Sequence, residues 1–238
     1  VDGVAPAAPR PAALARRVFR SKISIATFDV EGGANWALDC ESSKRAAYDG
    51  VIGEDEDAPR NEICAIGVVH LATGAWAEVL VRPTGKIEPL ASEIHCIVDA
   101  HLVDALPLAV AWARLMSFMD VIDGGRDDRV WIAHNKRFEQ RLFADEDMDL
   151  GDRWVCTLEA ARDVWPLGAV GAAKPHSLGA LHLAKCGELL RDAHVSPAAD
   201  AGGARALIRA MAEEKGVTDD AFVARCLAAT APRRSPRL

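Results

Sequence analysis

No stretch of the 238-residue chain approaches the ~20 uninterrupted apolar residues that a membrane-spanning helix needs. The apolar run from Leu106 to Phe118 is broken by Pro107, Arg114 and Ser117, so no membrane partner is expected. There is no C-x-x-C pair. The six cysteines (Cys40, Cys64, Cys96, Cys156, Cys186, Cys226) are widely spread, which argues against a zinc site and against a disulfide framework. Four of them sit in apolar stretches, where a reduced cysteine behaves as a small core residue. An intracellular, reducing compartment is expected, the cytoplasm first. A basic excess is also missing, since the formal net charge is −7. A generic duplex binder shows such an excess, but an enzyme that holds metal with carboxylates can be acidic overall and still grip phosphates through local cations.

Half of the residues are hydrophobic and 26% are charged, the profile of one globular domain. Residues 1–20, rich in Ala, Pro and Arg with Asp2 as the only acid, read as a flexible basic extension. That composition also fits the remnant of an organelle-targeting segment, and Val1 in place of Met predicts that the true N-terminus lies upstream. Residues 21–214 form the main domain, and 215–238 a C-terminal helix and a basic tail with Arg233, Arg234 and Arg237. Within the domain, Ile23–Phe28 reads as a central buried strand. Residues 34–60, polar and without periodicity, read as a long loop or insertion. Two strands follow, 62–71 and 76–81, joined by a Gly74 turn. A helix is expected over 107–122, stopped by Gly124-Gly125, then a strand at 129–133 and a helix over 137–146. A last strand is expected at 154–156, then a short helix from Thr157 and helices at 177–186, 197–214 and 219–229. Ser196 and Pro197 form the N-cap and first turn of the 197–214 helix. The pattern describes an α/β fold, a mixed five-stranded sheet flanked by helices.

Asp29 and Glu31 stand at the end of the Ile23–Phe28 strand. Positions i and i+2 of a strand share a face, and two adjacent carboxylates at a buried strand end repel one another and resist desolvation. A divalent cation resolves both problems. A solvated strand end with two incidental acids would give the same D-x-E.

The segments that follow tip the balance. Phe28-Asp29-Val30-Glu31, Glu62 to Val69, Val81 to Ala91, Ile94-His95-Cys96-Ile97-Val98-Asp99, Ala133-His134-Asn135-Lys136-Arg137-Phe138-Glu139, Cys156-Thr157-Leu158, Ser177 to Leu181, and His194 with Asp200-Ala201 occur in this order. Together they resemble the DEDDh-type 3′→5′ exonucleases, RNase H-like proteins that include a polymerase proofreading subunit, oligoribonuclease and ribonuclease T. The resemblance covers about residues 23 to 212; each motif alone is weak, and the ordered series is specific.

The resemblance implies two Mg²⁺ or Mn²⁺ ions held by Asp29, Glu31, Asp200 and Glu139. It further implies His194 as general base and release of nucleoside monophosphates from single-stranded DNA or RNA 3′ ends. His95 would lie near the terminal nucleotide and Asn135 would hold the loop around the site. Trp36, in the expected loop beside Glu31, would stack on a base. Two departures stand out. Glu139 replaces the family's Asp, and His194 lies one residue farther from Asp200 than the family pattern has it. They motivate an alternative, a catalytically impaired exonuclease-fold subunit serving as a binding or structural module with protein partners in a larger assembly. An RNase H-like endonuclease or transferase sharing only the sheet is a third reading, against which the His194–Asp200 arrangement speaks.

Overall fold

A computed structural model describes residues 19–22, 33–44 and 61–230 of the protein. Six strands form one sheet: β1 (Phe19–Lys22), β2 (Asn35–Ser42), β3 (Ile63–His70), β4 (Trp76–Leu80), β5 (Val130–Ala133) and β6 (Trp154–Cys156), in the spatial order β1-β4-β3-β2-β5-β6. The β2–β3, β3–β4 and β1–β4 pairs are antiparallel, whereas β2–β5 and β5–β6 are parallel. The expected mixed five-stranded sheet is therefore present, with β1 added at one edge.

The helices are α1 (Pro89–His95), α2 (Leu108–Asp123), α3 (Lys136–Asp145), α4 (Thr157–Val164), α5 (Leu178–Cys186), α6 (Pro197–Glu214) and α7 (Asp219–Thr230). Alternation along the strands divides the core in two. Leu38, Cys40, Ile66, Val68, Ala77 and Val79 pack against α2 and α3 through Leu115, Met119, Leu142 and Phe143. Ala37, Val69, Ile132 and Val155 pack against α6, through Ala204, Leu207, Ile208 and Met211, and against α4, α5 and α7. Every residue of β3 is buried, as befits a central strand. The C-terminal helix belongs to this second cluster through Phe222 and Val223. Asp220 at its start accepts from the Gly33 N–H and the Asn35 side chain.

The predicted boundaries from β3 onward hold closely. Gly124 closes α2 in the left-handed conformation (φ 76°), which glycine adopts without steric cost. Ser196 caps α6 by accepting the Ala199 N–H, with Pro197 in the first turn. Two expectations need correction. Residues 35–42, taken as the start of a long loop, are the central strand β2, whose short apolar stretch is masked in the sequence by the polar residues around it. Trp36 is fully buried in that strand rather than displayed on a loop. Its Nε1 donates to Asp123 Oδ2 at 2.9 Å, and its ring packs 4.8 Å from His70 and 6.1 Å from Phe118. It cannot stack on a base. The expected strand 23–28 and the tail beyond residue 230 lie outside the described residues, as do residues 1–18 and 45–60.

Candidate metal and catalytic centre

The carboxylates converge at the C-terminal half of β2. Asp39 and Glu41, at i and i+2, share one face of the strand. Asp39 lies in register with Gly67 of β3, and Gly67 with Glu78 of β4. Gly67 is required there, because a Cβ would come within 2.1 Å of the Ala198 backbone nitrogen. The missing side chain lets the first turn of α6 settle onto the sheet, and Asp200 comes down beside β2 with only 3% of its surface exposed. Glu139, one turn into α3, reaches the same place and is equally buried, at 3%.

Four carboxyl groups thus share one site, with Glu41, Glu139 and Asp200 buried and Asp39 partly exposed. Burial pushes Asp39 well above the ordinary carboxylate range, helped by Asp200, Glu41 and Glu139. Glu41 rises through burial, Asp200 and Glu139. Glu139 is raised by burial to about 8, and Asp200 rises by burial against the opposing pull of the His194 N–H. One oxygen of Glu139 (Oε2) and one of Asp200 (Oδ1) are buried without a hydrogen-bond partner. Buried polar atoms are ordinarily satisfied, and acceptor-only oxygens gathered at like charge are what a divalent cation binds. Glu41, His194 and Asp200 each offer a ligand atom within 4.8 Å of the other two. The residues present therefore fit a divalent cation.

Of the residues expected to form this centre, Asp200, Glu139 and His194 are brought together. The carboxylate pair that meets them is Asp39 and Glu41, ten residues beyond the expected pair; Asp29 and Glu31 lie outside the described residues. A second D-x-E in the sequence was the available signal. His194 precedes α6 on a loop, exposed and in the left-handed region at φ 59°. Its N–H donates to Asp200 Oδ2 at 2.7 Å, and its Nδ1 stands 3.9 Å from the same oxygen.

His95 is buried, and both of its ring nitrogens are engaged by backbone. Nε2–H donates to the Ser42 carbonyl at 3.1 Å and Nδ1 accepts the Ile97 N–H at 3.1 Å. It holds the residue after Glu41 and lies close enough to His194 for the two imidazoles to act on one another. Cys96 caps α1 in the left-handed conformation at φ 60°, the conformation glycine adopts freely. Asn135 is the exposed left-handed residue (φ 112°) that starts α3, so it sets the direction in which Glu139 enters. Next to it, His134 is kept neutral by burial, its pKa lowered to about 4. It accepts from the Thr157 hydroxyl and donates to the His176 carbonyl, each at 2.9 Å.

No protein-family model matches the chain. Exodeoxyribonuclease 10 of Escherichia coli (strain K12) is 32% identical over 105 residues, which is 44% of this chain and 41% of that protein. The chain thus matches about two fifths of the length of this curated relative. Exonuclease X, solved in complex with 5′ overhanging duplex DNA, superposes with a TM-score of 0.51 at 20% identity, covering 80% of this chain and 98% of that one. The nuclease domain of 3′hExo, a DEDDh family member bound to rAMP, gives 0.58 at 12% identity, covering 76% and 92%. These superpositions carry the fold, and the sequence match adds kinship. In fold the chain is thus similar to DEDDh-type exonuclease domains, and in sequence, over 105 residues, to an exodeoxyribonuclease.

Proposed function

We propose that the protein is a metal-dependent 3′→5′ exonuclease that releases nucleoside monophosphates from single-stranded nucleic-acid ends. The observation that carries this reading is the convergence of Asp39, Glu41, Glu139 and Asp200, with two orphaned buried oxygens, beside His194. Asp39, Glu41, Asp200 and Glu139 would hold two divalent ions. When bound, such ions supply positive charge at the scissile phosphate and acidify water. The imidazole of His194, exposed beside Asp200, would accept the proton of the attacking water. Asp200 orients that residue by accepting its backbone N–H. DNA is the substrate favoured by the kinship with an exodeoxyribonuclease.

Both departures from the family pattern are compatible with activity. The extra methylene of Glu139 does not carry its carboxylate away, since its charge still acts on Asp39 and Glu41. The longer His194–Asp200 spacing leaves the imidazole 3.9 Å from the carboxylate it must work beside.

The test is nucleotide release from 5′-labelled single-stranded DNA and RNA with Mg²⁺, Mn²⁺ or EDTA. A ladder shortening from the 3′ end, absent in EDTA and in Asp39→Asn, is expected. No release from either substrate with either metal, from folded protein, would refute the proposal in favour of the impaired-subunit alternative. Asp29→Asn in the same assay discriminates between the two D-x-E pairs: loss of activity there, with activity retained in Asp39→Asn, would return the role to Asp29 and Glu31.

A further inference from the structure

We propose that Glu78, in the middle of the sheet, is a positioning residue that fixes the arm carrying His194 through the hydroxyl of Ser196. The kinetic part of this inference rests on the exonuclease reading above. Glu78 lies on β4 in the same cross-strand row as Gly67 and Asp39. Gly67, at the centre of that row, is covered by the backbone of Pro197 and Ala198. The first turn of α6 therefore sits with a carboxylate on each side, Asp39 in the metal cluster and Glu78 away from it.

Glu78 is only 8% exposed, and a buried carboxylate needs donors. Ser196 Oγ donates to its Oε2 at 2.5 Å while accepting the Ala199 N–H at 3.3 Å. A single hydroxyl thus caps α6 and ties it to the sheet. The arm just before it is conformationally costly, because Asp192 (φ 57°) and His194 (φ 59°) are both left-handed without being glycine. Such residues persist where the surroundings over-determine them. The Val195 and Ser196 N–H groups donate to the Asp192 carbonyl, and the His194 N–H to Asp200. Those bonds close the arm on itself and on its own helix. Among the described residues, the bond to Glu78 is the arm's hydrogen bond to the sheet.

His194 stands on this arm six residues before Asp200, which gives the tether its purpose. An untethered arm has more freedom, and displacing a reacting group by about 1 Å can cost ~10²-fold in rate. Anchoring Ser196, two residues after His194, limits that freedom at the imidazole.

The experiment uses the full chain with Glu78→Ala, Glu78→Gln and Ser196→Ala. Hydrogen exchange of the 191–196 peptide is measured without substrate, Mn²⁺ binding by paramagnetic resonance, and kcat and KM on a single-stranded oligomer. Expected are faster exchange at 191–196, extending in Ser196→Ala only to the Ala199 amide that loses its cap, and a kcat reduced ~10- to 100-fold in Glu78→Ala and Ser196→Ala, with KM and Mn²⁺ affinity unchanged. Gln, which keeps an acceptor oxygen, should restore both readouts to near wild type. Unchanged exchange at 191–196 in either folded variant overturns the proposal. So does exchange that rises evenly along all of α6, or a fall in Mn²⁺ affinity matching the fall in rate. If Glu78→Ala fails to fold, Ser196→Ala decides. A wild-type protein without turnover refutes the exonuclease reading alone, because the exchange pattern still decides whether Glu78 holds the arm.

Discussion

Removing metal should make this protein lose stability as the pH rises, opposite to the usual behaviour of a carboxylate-rich surface. Glu139 illustrates the sign. Burial raises its folded-state pKa from 4.5 to about 8, so the folded protein binds the proton more tightly than the unfolded chain does. Its contribution is fully present below pH 4.5 and is lost as the pH rises toward 8, where the folded state must accept a buried charge. At about 1.4 kcal/mol per unit, the shift corresponds to a loss on the order of 4–5 kcal/mol. Asp39, Glu41 and Asp200 are shifted the same way and deepen the slope. The assay is urea unfolding in EDTA at intervals from pH 5 to 9, repeated with excess Mn²⁺. In EDTA the midpoint should fall steadily toward alkaline pH; with Mn²⁺ it should rise instead, since deprotonated carboxylates bind the ion and binding to the folded state stabilises it. Glu139→Gln should flatten the EDTA profile and gain stability above pH 8 while losing metal response. A profile in EDTA that is flat or rises with pH, from a sample folded at both ends, would refute the claim that these carboxylates share one desolvated site.

The other predictions concern single contacts. Trp36→Ala should cost ~3–5 kcal/mol in unfolding free energy, the range for a buried large aromatic, without a selective rise in KM for an oligonucleotide; a normal melting curve with a raised KM would return Trp36 to the substrate surface. Gly67→Ala should both destabilise the fold and weaken Mn²⁺ binding, because a Cβ at 2.1 Å from the Ala198 nitrogen forces α6, and Asp200 with it, off the sheet; unaltered Mn²⁺ affinity would show that this close approach does not set the site. Asp123→Ala should destabilise the protein in chemical unfolding by less than the ~3–5 kcal/mol of an orphaned buried charge, because Arg129 Nε loses its acceptor at 2.7 Å and the Trp36 indole loses its own, while Asp120 still accepts from Arg129 Nη2 at 2.6 Å.

Much of the fold was legible in the sequence because, from residue 61 onward, the local signals agree with the tertiary structure. Ile63–His70 is apolar up to its last residue and becomes a central strand, Gly124 ends α2, and Ser196-Pro197 opens α6 at the residue that the capping rules select. Strand β2 escaped a local reading for a physical reason. Ile23–Phe28 is β-branched and apolar on both faces, whereas Asn35–Ser42 carries Asn, Asp, Glu and Ser within eight residues. Periodicity favours the former. The polar residues of β2 are tolerated because distant groups answer them: Asp220 holds the Asn35 side chain, His95 the Ser42 carbonyl and Asp123 the indole of Trp36. None of these partners lies within 50 residues in sequence, so no local reading could credit them.

The same reasoning explains why the carboxylates themselves could not be ranked by motif. D-x-E occurs twice, ten residues apart, and each copy offers the i, i+2 geometry of a strand face. What separates them is tertiary: Gly67 must lie across the ladder from the first carboxylate so that α6 can bring Asp200 down, and Asp39 is the residue in register with it. A site of this kind demands an arrangement that the isolated elements resist, like charges gathered with little access to water beside a left-handed histidine loop. The register of one glycine and the anchoring of one serine by Glu78 hold it against that resistance. If that is right, Asp39→Asn and Gly67→Ala should fail differently. The first should lose Mn²⁺ binding while gaining stability in EDTA at pH 8, and the second should lose both. Equal stability losses in the two variants would show instead that the carboxylate cluster stabilises the fold rather than straining it.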